Sequence, residues 1–176
     1  MKKSLIALAV LAASGAAMAQ STVTIYGVAD AVIHKDKGVS LKMTSGGVSG
    51  SRLGFKGTED LGGGLKATFK LEQGIDLTNG DQKVAGKAFN REATVGLAGG
   101  FGEVRFGRMS TAFDEFAGAT NPVFDSVLSP TNVFVGYTTD RIDQGIYYAS
   151  PSFGGFSAAA SYNLEQVAGS QNVLSL

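Results

Sequence analysis

Ionisable side chains recur at every second position in several short segments of this 176-residue chain. In 65–72, for example, Lys66, Lys70 and Glu72 alternate with apolar residues. This spacing places the charges on one face of an extended strand. A row of fixed charges can select ions along a water-filled passage, or it can meet bulk solvent on the surface of a soluble sheet. The alternation alone leaves both interpretations open.

Residues that could support catalysis or bind a metal are sparse. The chain has no cysteine and one histidine, His34, which excludes thiolate chemistry and motifs that need two histidines. The carboxylates form no recognisable catalytic constellation, and Asp36, Asp76 and Asp81 lack the spacing of a calcium loop. None of the glycine clusters has the spacing of a phosphate-binding loop. We therefore expect no enzyme activity, no cofactor and no metal site.

The overall composition narrows the class of protein further. The 15 basic residues balance the 15 acidic ones, so nothing indicates the basic surface of a nucleic-acid-binding protein. A hydrophobic content of 44% with only 3 prolines argues against a disordered chain. The 25 glycines, about twice the usual frequency, indicate many tight turns.

Alternating apolar and polar residues predict seven β-strands. In the clearest of them Leu65 and Phe69 share one face, and Lys66 and Lys70 share the other. Only 111–117 has a helical pattern. The predicted strands are 23–33, 51–58, 65–72, 92–97, 103–106, 142–149 and 156–164.

Short and long connections alternate along these strands. Consecutive connections of an antiparallel meander lie at opposite ends of the sheet, so one end carries tight turns and the other carries long loops. This asymmetry is typical of outer-membrane β-barrels, and we predict an all-β, antiparallel up-and-down transmembrane barrel. The short glycine-rich connections are 60–64, 98–102 and 150–155, and the long polar ones are 34–50, 77–88 and 110–136.

Residues 1–19 have the pattern of a secretory signal peptide. Lys2 and Lys3 precede a short apolar run that ends at Ala17-Met18-Ala19, which fits the A-x-A cleavage pattern. A transmembrane anchor is the alternative, but the apolar run is short for one. We expect export and cleavage after Ala19, so that 20–176 form the barrel domain.

Four blocks of the sequence resemble the general Gram-negative porins of the neisserial and β-proteobacterial type. The resemblance implies a barrel of 16 strands in the outer membrane, about seven of which lie in this sequence. It also implies a homotrimer, contact with membrane lipid, and passive diffusion of ions and small hydrophilic solutes. The blocks are STVTIYGVADA (21–31), SRLGFKGTEDLGGGLKATFKLEQG (51–74), FNREATVGLAGGFGEVRFGR (89–108) and YYASPSFGGFS (147–157).

The sequence departs from the family pattern in its length and at Tyr147. Sixteen strands at the spacing found here require about 350 residues, so we expect 20–176 to be the N-terminal part of a truncated barrel. The family often has a basic, pore-facing residue at the position of Tyr147. This difference weakens part of the expected basic lining.

The resemblance also implies where solutes are selected. The connection 110–136 corresponds to the loop that folds into the pore in this family, and Ser110 or Thr111 could cap its short helix. Opposite charges across a narrow passage create a transverse field that orients polar solutes. The acidic candidates in this constriction loop are Asp114, Glu115 and Asp125. The arginines that best match the family's pore-lining cluster are Arg52, Arg91, Arg108 and Arg141.

The alternation pattern supports these four arginines unequally. Arg52 has the parity of the charged face, but Arg91 and Arg108 have the parity of apolar neighbours. Either a β-bulge re-aims such a side chain or it lies above the hydrocarbon layer. Arg141 could be a solvated rim residue, and the three acidic candidates could be ordinary loop charges.

Two other functions remain open from the residues alone. A small barrel of eight strands with a packed interior could act as an anchor or adhesin without a wide pore. A secreted, soluble, lipocalin-like binder would instead bury its apolar face around a ligand and turn the charged face outward.

Overall fold

A computed structural model describes residues 22–120, 141–164 and 174–175. The predicted signal peptide 1–19 lies outside these residues. None of the helical structure within them is long and apolar enough to span a bilayer. One helix, α1 (Ala112–Thr120), follows the seventh strand. The strands are β1 (Thr22–Val28), β2 (Ala31–His34), β3 (Lys42–Ser45), β4 (Arg52–Gly62), β5 (Leu65–Gly74), β6 (Glu92–Gly99), β7 (Gly102–Ser110), β8 (Arg141–Ala149), β9 (Ala159–Asn163) and β10 (Leu174–Ser175).

The main sheet is an antiparallel meander in the order β1-β4-β5-β6-β7-β8-β9-β10. Each of the seven predicted strands has a counterpart in it, and the short strand β10 is added beside β9. The tight turns β4–β5, β6–β7 and β8–β9 lie at one end, which we call the short-turn end. The connections after β1, β5 and β7 lie at the other, which we call the long-connection end. The predicted all-β meander is therefore confirmed.

Glycine makes the β4–β5 turn tight. Gly62, Gly63 and Gly64 have φ values of +85°, +62° and +80°, in the left-handed region where a Cβ atom is unfavourable. The N–H of Gly62 also donates to the Asp60 carboxylate at 2.8 Å. Three successive left-handed residues thus reverse the chain within the turn.

The first strand is shorter than predicted. The sequence pattern indicated one strand over 23–33, but β1 ends at Val28 and β2 pairs with β3 in a separate hairpin. The cause is Asp30, whose carboxylate accepts hydrogen bonds from the backbone N–H groups of Gly47, Val48 and Ser49 at 2.7–3.2 Å. These bonds turn the chain away from the main sheet.

Helix α1 begins one residue later than predicted and extends further. Thr111 is its N-cap, because its hydroxyl accepts a hydrogen bond from the N–H of Asp114 at 3.2 Å. Ser110, the other predicted cap, is the last residue of β7. The acidic residues Asp114 and Glu115 lie in the first turn, where the helix dipole favours negative charge.

The two faces of the main sheet differ in burial, and the difference is the reverse of that in a soluble sheet. On the apolar face, Ile25 is 67% exposed and Val95 is 60% exposed. On the opposite face, which we call the polar face, Glu72 and Glu92 are each 7% exposed. A soluble sheet would cover its apolar face with a core. The burial pattern therefore favours a membrane protein over a soluble binder.

Candidate functional site

Cross-strand partners divide the polar face into rows, because residues directly opposite on antiparallel strands share a face. The first row, next to the terminal row of Val28, Arg52 and Gly74 at the long-connection end, is Tyr26, Gly54, Glu72 and Glu92. The second row is Thr24, Lys56, Lys70 and Thr94. The third row is Thr22, Thr58, Thr68, Gly96, Arg105, Tyr147 and Ser161.

Glu72 on β5 joins β1 to the segment that precedes β6. Its carboxylate accepts a hydrogen bond from the Tyr26 hydroxyl at 2.7 Å and another from Arg91 Nε at 2.6 Å. The Tyr26 ring crosses β4 over Gly54, where any Cβ would overlap the ring. Arg91, which precedes β6, reaches the polar face despite its parity, and its backbone N–H also donates to the Glu72 carbonyl at 3.2 Å.

Arg105 is the centre of a second cluster, in the third row. Its Nη2 donates to both oxygens of Glu115, at 2.7 and 2.8 Å. Its Nη1 lies 3.4 Å from Glu92, and its Nε lies 3.7 Å from Glu103. The guanidinium also covers the Tyr147 ring, 4.0 Å from the ring centroid, in cation–π geometry. The family often has a basic side chain at the position of Tyr147. In this chain the Arg105 guanidinium, packed on the Tyr147 ring, places a positive charge there.

Helix α1 is attached to the polar face on the far side of β8. The N–H of Ala112 donates to Ser161 Oγ on β9 at 2.9 Å, and the N–H of Phe113 donates to Ser175 Oγ on β10 at 2.8 Å. Ser161 is 1% exposed. The first turn of the helix therefore packs over β8, where Ala112 clusters with Ile142 and Tyr147, and reaches the polar face of the strands beyond it.

A β-bulge forms a third cluster at the long-connection end. Asp143 and Gln144 on β8 together lie opposite the single residue Arg108 on β7. Arg108 Nη1 donates to Asp143 Oδ1, and Arg108 Nε donates to the Asn90 carbonyl, both at 2.6 Å. Lys87, from the β5–β6 connection, binds the other oxygen of Asp143 at 2.6 Å.

Three of the four predicted arginines lie close together, because the side chains of Arg108 and Arg141 bind the backbone at residues 90 and 91. Arg108 donates to the Asn90 carbonyl, and Arg141 Nε donates to the Arg91 carbonyl at 3.0 Å. Arg52 lies elsewhere at the same end of the sheet, at the start of β4, where Nη2 donates to Ser49 Oγ at 3.2 Å. Arg91 reaches Glu72 on the polar face from the position before β6, whereas Arg108 stays opposite Ala93 in the β6–β7 register and contacts Asp143 at the bulge.

The acidic candidates differ in their surroundings. Glu115 is bound to Arg105, and Asp114 is 4% exposed at the start of α1. The sequence left open that these residues are ordinary solvated loop charges, and neither Glu115 nor Asp114 is one. Asp125 lies outside the described residues.

Sequence reasoning did not single out the residues that anchor these clusters. Alternation could have found those on the strands, because each lies opposite the apolar positions of its own strand, as Lys66 and Lys70 do. No sequence signal marks Asp143, because its position depends on the bulge. The residues missed as site candidates are Glu72, Glu92, Arg105, Asp143 and Tyr147.

Carboxylates of the long connections are held by their own chain. The backbone N–H groups of Ser49, Val48 and Gly47 lower the pKa of Asp30, and the Thr78 hydroxyl and N–H lower the pKa of Asp76. Across residues 22–120, 141–164 and 174–175, no three His, Cys, Asp or Glu side chains are grouped closely enough to hold a metal ion.

This architecture defines a class of protein. An antiparallel meander with tight turns at one end, long connections at the other and an exposed apolar face is an outer-membrane β-barrel wall. Within that class, the chain belongs to the Gram-negative porin family, whose sequence model matches residues 5–175.

Individual relatives agree with this membership. The chain is 44% identical to outer membrane porin protein 32 of Delftia acidovorans, covering 94% of this chain and 50% of the relative. It is 38% identical to major outer membrane protein P.IB of Neisseria meningitidis, covering 98% and 52%. Among solved structures, an anion-selective porin from Comamonas acidovorans superposes with a TM-score of 0.69 at 34% identity, covering 82% of this chain and 47% of that chain. The chain thus spans about half the length of these relatives.

These findings confirm the resemblance, the barrel fold and the location. The protein is an outer-membrane protein of a Gram-negative bacterium, as its relatives are.

Proposed function

We propose that the protein forms a water-filled channel through which ions and small hydrophilic solutes diffuse passively. Filtering depends on pore width and on rings of fixed charge. The observation that carries this proposal is the reversed burial of the sheet, with ionised side chains on the polar face and apolar ones exposed on the other. A face of this kind is suited to line an aqueous interior.

The connection after β7 is proposed to form a charged constriction. The attachment of α1 to Ser161 and Ser175 on the polar face supports an inward fold of this connection. Its acidic residues would face the basic wall and create the transverse field. The proposed acidic constriction residues are Asp114, Glu115 and Asp125, and the proposed basic pore-lining residues are Arg52, Arg91, Arg108 and Arg141.

Anions are proposed to be the preferred ions. The support is the convergence of Arg91, Arg108 and Arg141 at one end of the wall, and the description of a similar solved structure as an anion-selective porin. We also propose that the working assembly is a homotrimer in the outer membrane, and that residues 1–19 are removed as a signal peptide on export.

Recording from planar lipid bilayers tests the channel and its constriction together. Protein extracted from the outer membrane should insert and give stepwise conductance. Deleting 112–126 should enlarge each step, because the obstruction inside the barrel is removed. Equal steps in both proteins would place this connection outside the pore. Absence of steps from the intact protein would reject the channel and favour a small barrel that serves as an anchor or adhesin.

The charge filter is tested by replacing Arg52 with glutamate. In a salt gradient, Arg52→Glu should move the reversal potential toward cation selectivity, because a positive wall charge becomes negative. The matched control is Arg52→Lys, which keeps the charge and should leave the potential nearly unchanged. If the glutamate variant keeps the wild-type potential, Arg52 does not belong to the filter.

A further inference from the structure

Two lysines face each other in the second row of the polar face. Lys56 on β4 and Lys70 on β5 are direct cross-strand partners, and Thr24 and Thr94 flank them in the same row. Like charges directly opposite on neighbouring strands repel and destabilise a sheet. A negative charge nearby would relieve this repulsion.

The described carboxylates compensate this pair only in part. Lys70 Nζ lies 2.6 Å from Glu92, but the same carboxylate also lies 3.4 Å from Arg105. Arg105 is also paired with Glu103 and Glu115, so Glu92 mainly neutralises Lys70. Lys56 forms no ion pair within the part of the chain that the structure describes, and its Nζ lies 5.4 Å from the centroid of the Tyr26 ring. A net positive charge remains at the lysine pair.

The surroundings of the pair supply further hydrogen-bond donors. A cavity of about 330 Å³ lies against the polar face at this point, and both lysines line it. Arg105 and the carboxylates Glu92 and Glu103 also line it, so three cationic side chains face two anionic ones and the lining keeps one excess positive charge. Five threonine hydroxyls from four neighbouring strands line the same cavity, namely those of Thr22, Thr24, Thr58, Thr68 and Thr94.

We propose that the lysine pair and these hydroxyls form a binding subsite for a small oxyanion with several acceptor oxygens, such as phosphate or a carboxylate. Two ammonium groups and adjacent hydroxyls can donate to different oxygens of one ligand. The subsite lies in the second and third rows, nearer the short-turn end than Arg91. It provides a second resting place for an anion that has passed the arginines. This role in transport rests on the proposed channel, whereas binding itself does not.

Binding is measured first without reference to transport. Protein extracted from the outer membrane in detergent is titrated with inorganic phosphate, followed by ³¹P NMR line broadening, and with succinate in a parallel ¹³C experiment. Lys56→Gln removes the cation that has no described ion pair. Lys66→Gln is the matched control, because Lys66 also lies on the polar-face side of β5 but is further toward the turn, opposite Asp60. Lys56→Arg restores the charge.

The expected result is that Lys56→Gln weakens binding of at least one probe about tenfold, as for loss of a charged hydrogen bond. Lys66→Gln and Lys56→Arg should bind within about twofold of the wild type. The probe that is affected identifies phosphate or carboxylate as the preferred oxyanion. Equal binding by Lys56→Gln and Lys66→Gln, or no saturable binding of either probe, would overturn the subsite.

Bilayer currents then separate the subsite from the channel. Added phosphate should inhibit the chloride current of the wild type in a saturable way, and Lys56→Gln should need about tenfold more phosphate for the same inhibition. A protein that binds phosphate through Lys56 but gives no current would retain the subsite and reject the channel. A chloride current that phosphate inhibits equally in both proteins would retain the channel and reject the subsite.

Discussion

Arg105 and Arg108 lie three residues apart on β7, yet their surroundings differ. Arg105 is in the third row of the polar face, has a side chain that is 13% exposed, and contacts three carboxylates and the Tyr147 ring. Arg108 is at the long-connection end, is 22% exposed and binds Asp143, itself 36% exposed. One arginine is enclosed by the wall and by α1, whereas the other spans a bulge at the rim.

The difference indicates that the same residue type serves two purposes along one strand. The Arg105 cluster joins the wall to the helix through Glu115, so its geometry sets the position of α1. The Arg108 cluster joins the β5–β6 connection to β8 through Lys87 and Asp143. Ion pairs enclosed by protein lose more when one partner is removed than pairs near water do. Substitutions at the two clusters should therefore lower the free energy of unfolding by different amounts.

The largest effect is expected for Arg105→Ala. It leaves Glu92 and Glu115 without their shared cation, and removing one partner of an enclosed pair costs about 3 kcal/mol. The free energy of unfolding should fall by this amount in urea titrations followed by circular dichroism in detergent. The control is Lys66→Ala, an exposed residue of β5 that should change little. A loss no larger than that of the control would contradict the enclosed cluster.

A smaller effect is expected for Asp143→Asn at the rim. The change removes the charge that holds Lys87 and Arg108, but solvent screens this pair, so the cost should be about 1 kcal/mol. The same urea titration measures it, with Glu59→Gln as the control for loss of an exposed carboxylate on β4. A destabilisation equal to that of Arg105→Ala would remove the contrast between wall and rim.

The smallest effect is expected at Asp30 and depends on pH. Hydrogen bonds from Ser49, Val48 and Gly47 hold the pKa of this carboxyl below its usual range. Its stabilisation is therefore present above the usual pKa, about 4, and is lost as the pH falls through the lowered value. Hydrogen–deuterium exchange, corrected for the intrinsic rate, should show these three amides losing protection on acidification. In Asp30→Asn their protection should not vary with pH, and a persistent pH dependence would assign the effect to another group.

Alternation predicted the wall well because a strand repeats every two residues. The opposite parities of Phe69 and Lys70 placed them correctly on the two faces. The same rule failed for Arg91, which lies just outside β6 and binds Glu72 on the polar face. Arg108 keeps the register of Ala93, and alternation gave no indication of its contact with Asp143 at the bulge.

The sequence pattern could not predict contacts between segments that are distant along the chain. The break after Val28 depends on Asp30 meeting residues 47–49, and the attachment of α1 depends on Ser161 and Ser175. Each contact joins residues at least 17 positions apart. Local propensity did locate the helix itself, because Thr111 is a favourable N-cap. It gave no information about the face on which the helix lies.

The Asp30 carboxylate closes the base of the β2–β3 hairpin, so the tip at 35–41 is insulated from the sheet. Lengthening an exposed tip costs little, about 0.6 kcal/mol for each doubling of its length. Long connections of such barrels face the cell exterior. A foreign peptide grafted at Gly38 would therefore be carried on the cell surface while the barrel wall folds as before. Because the Asp30 carboxylate fixes the base of the hairpin, the tip can accept inserted residues without a change in the main sheet.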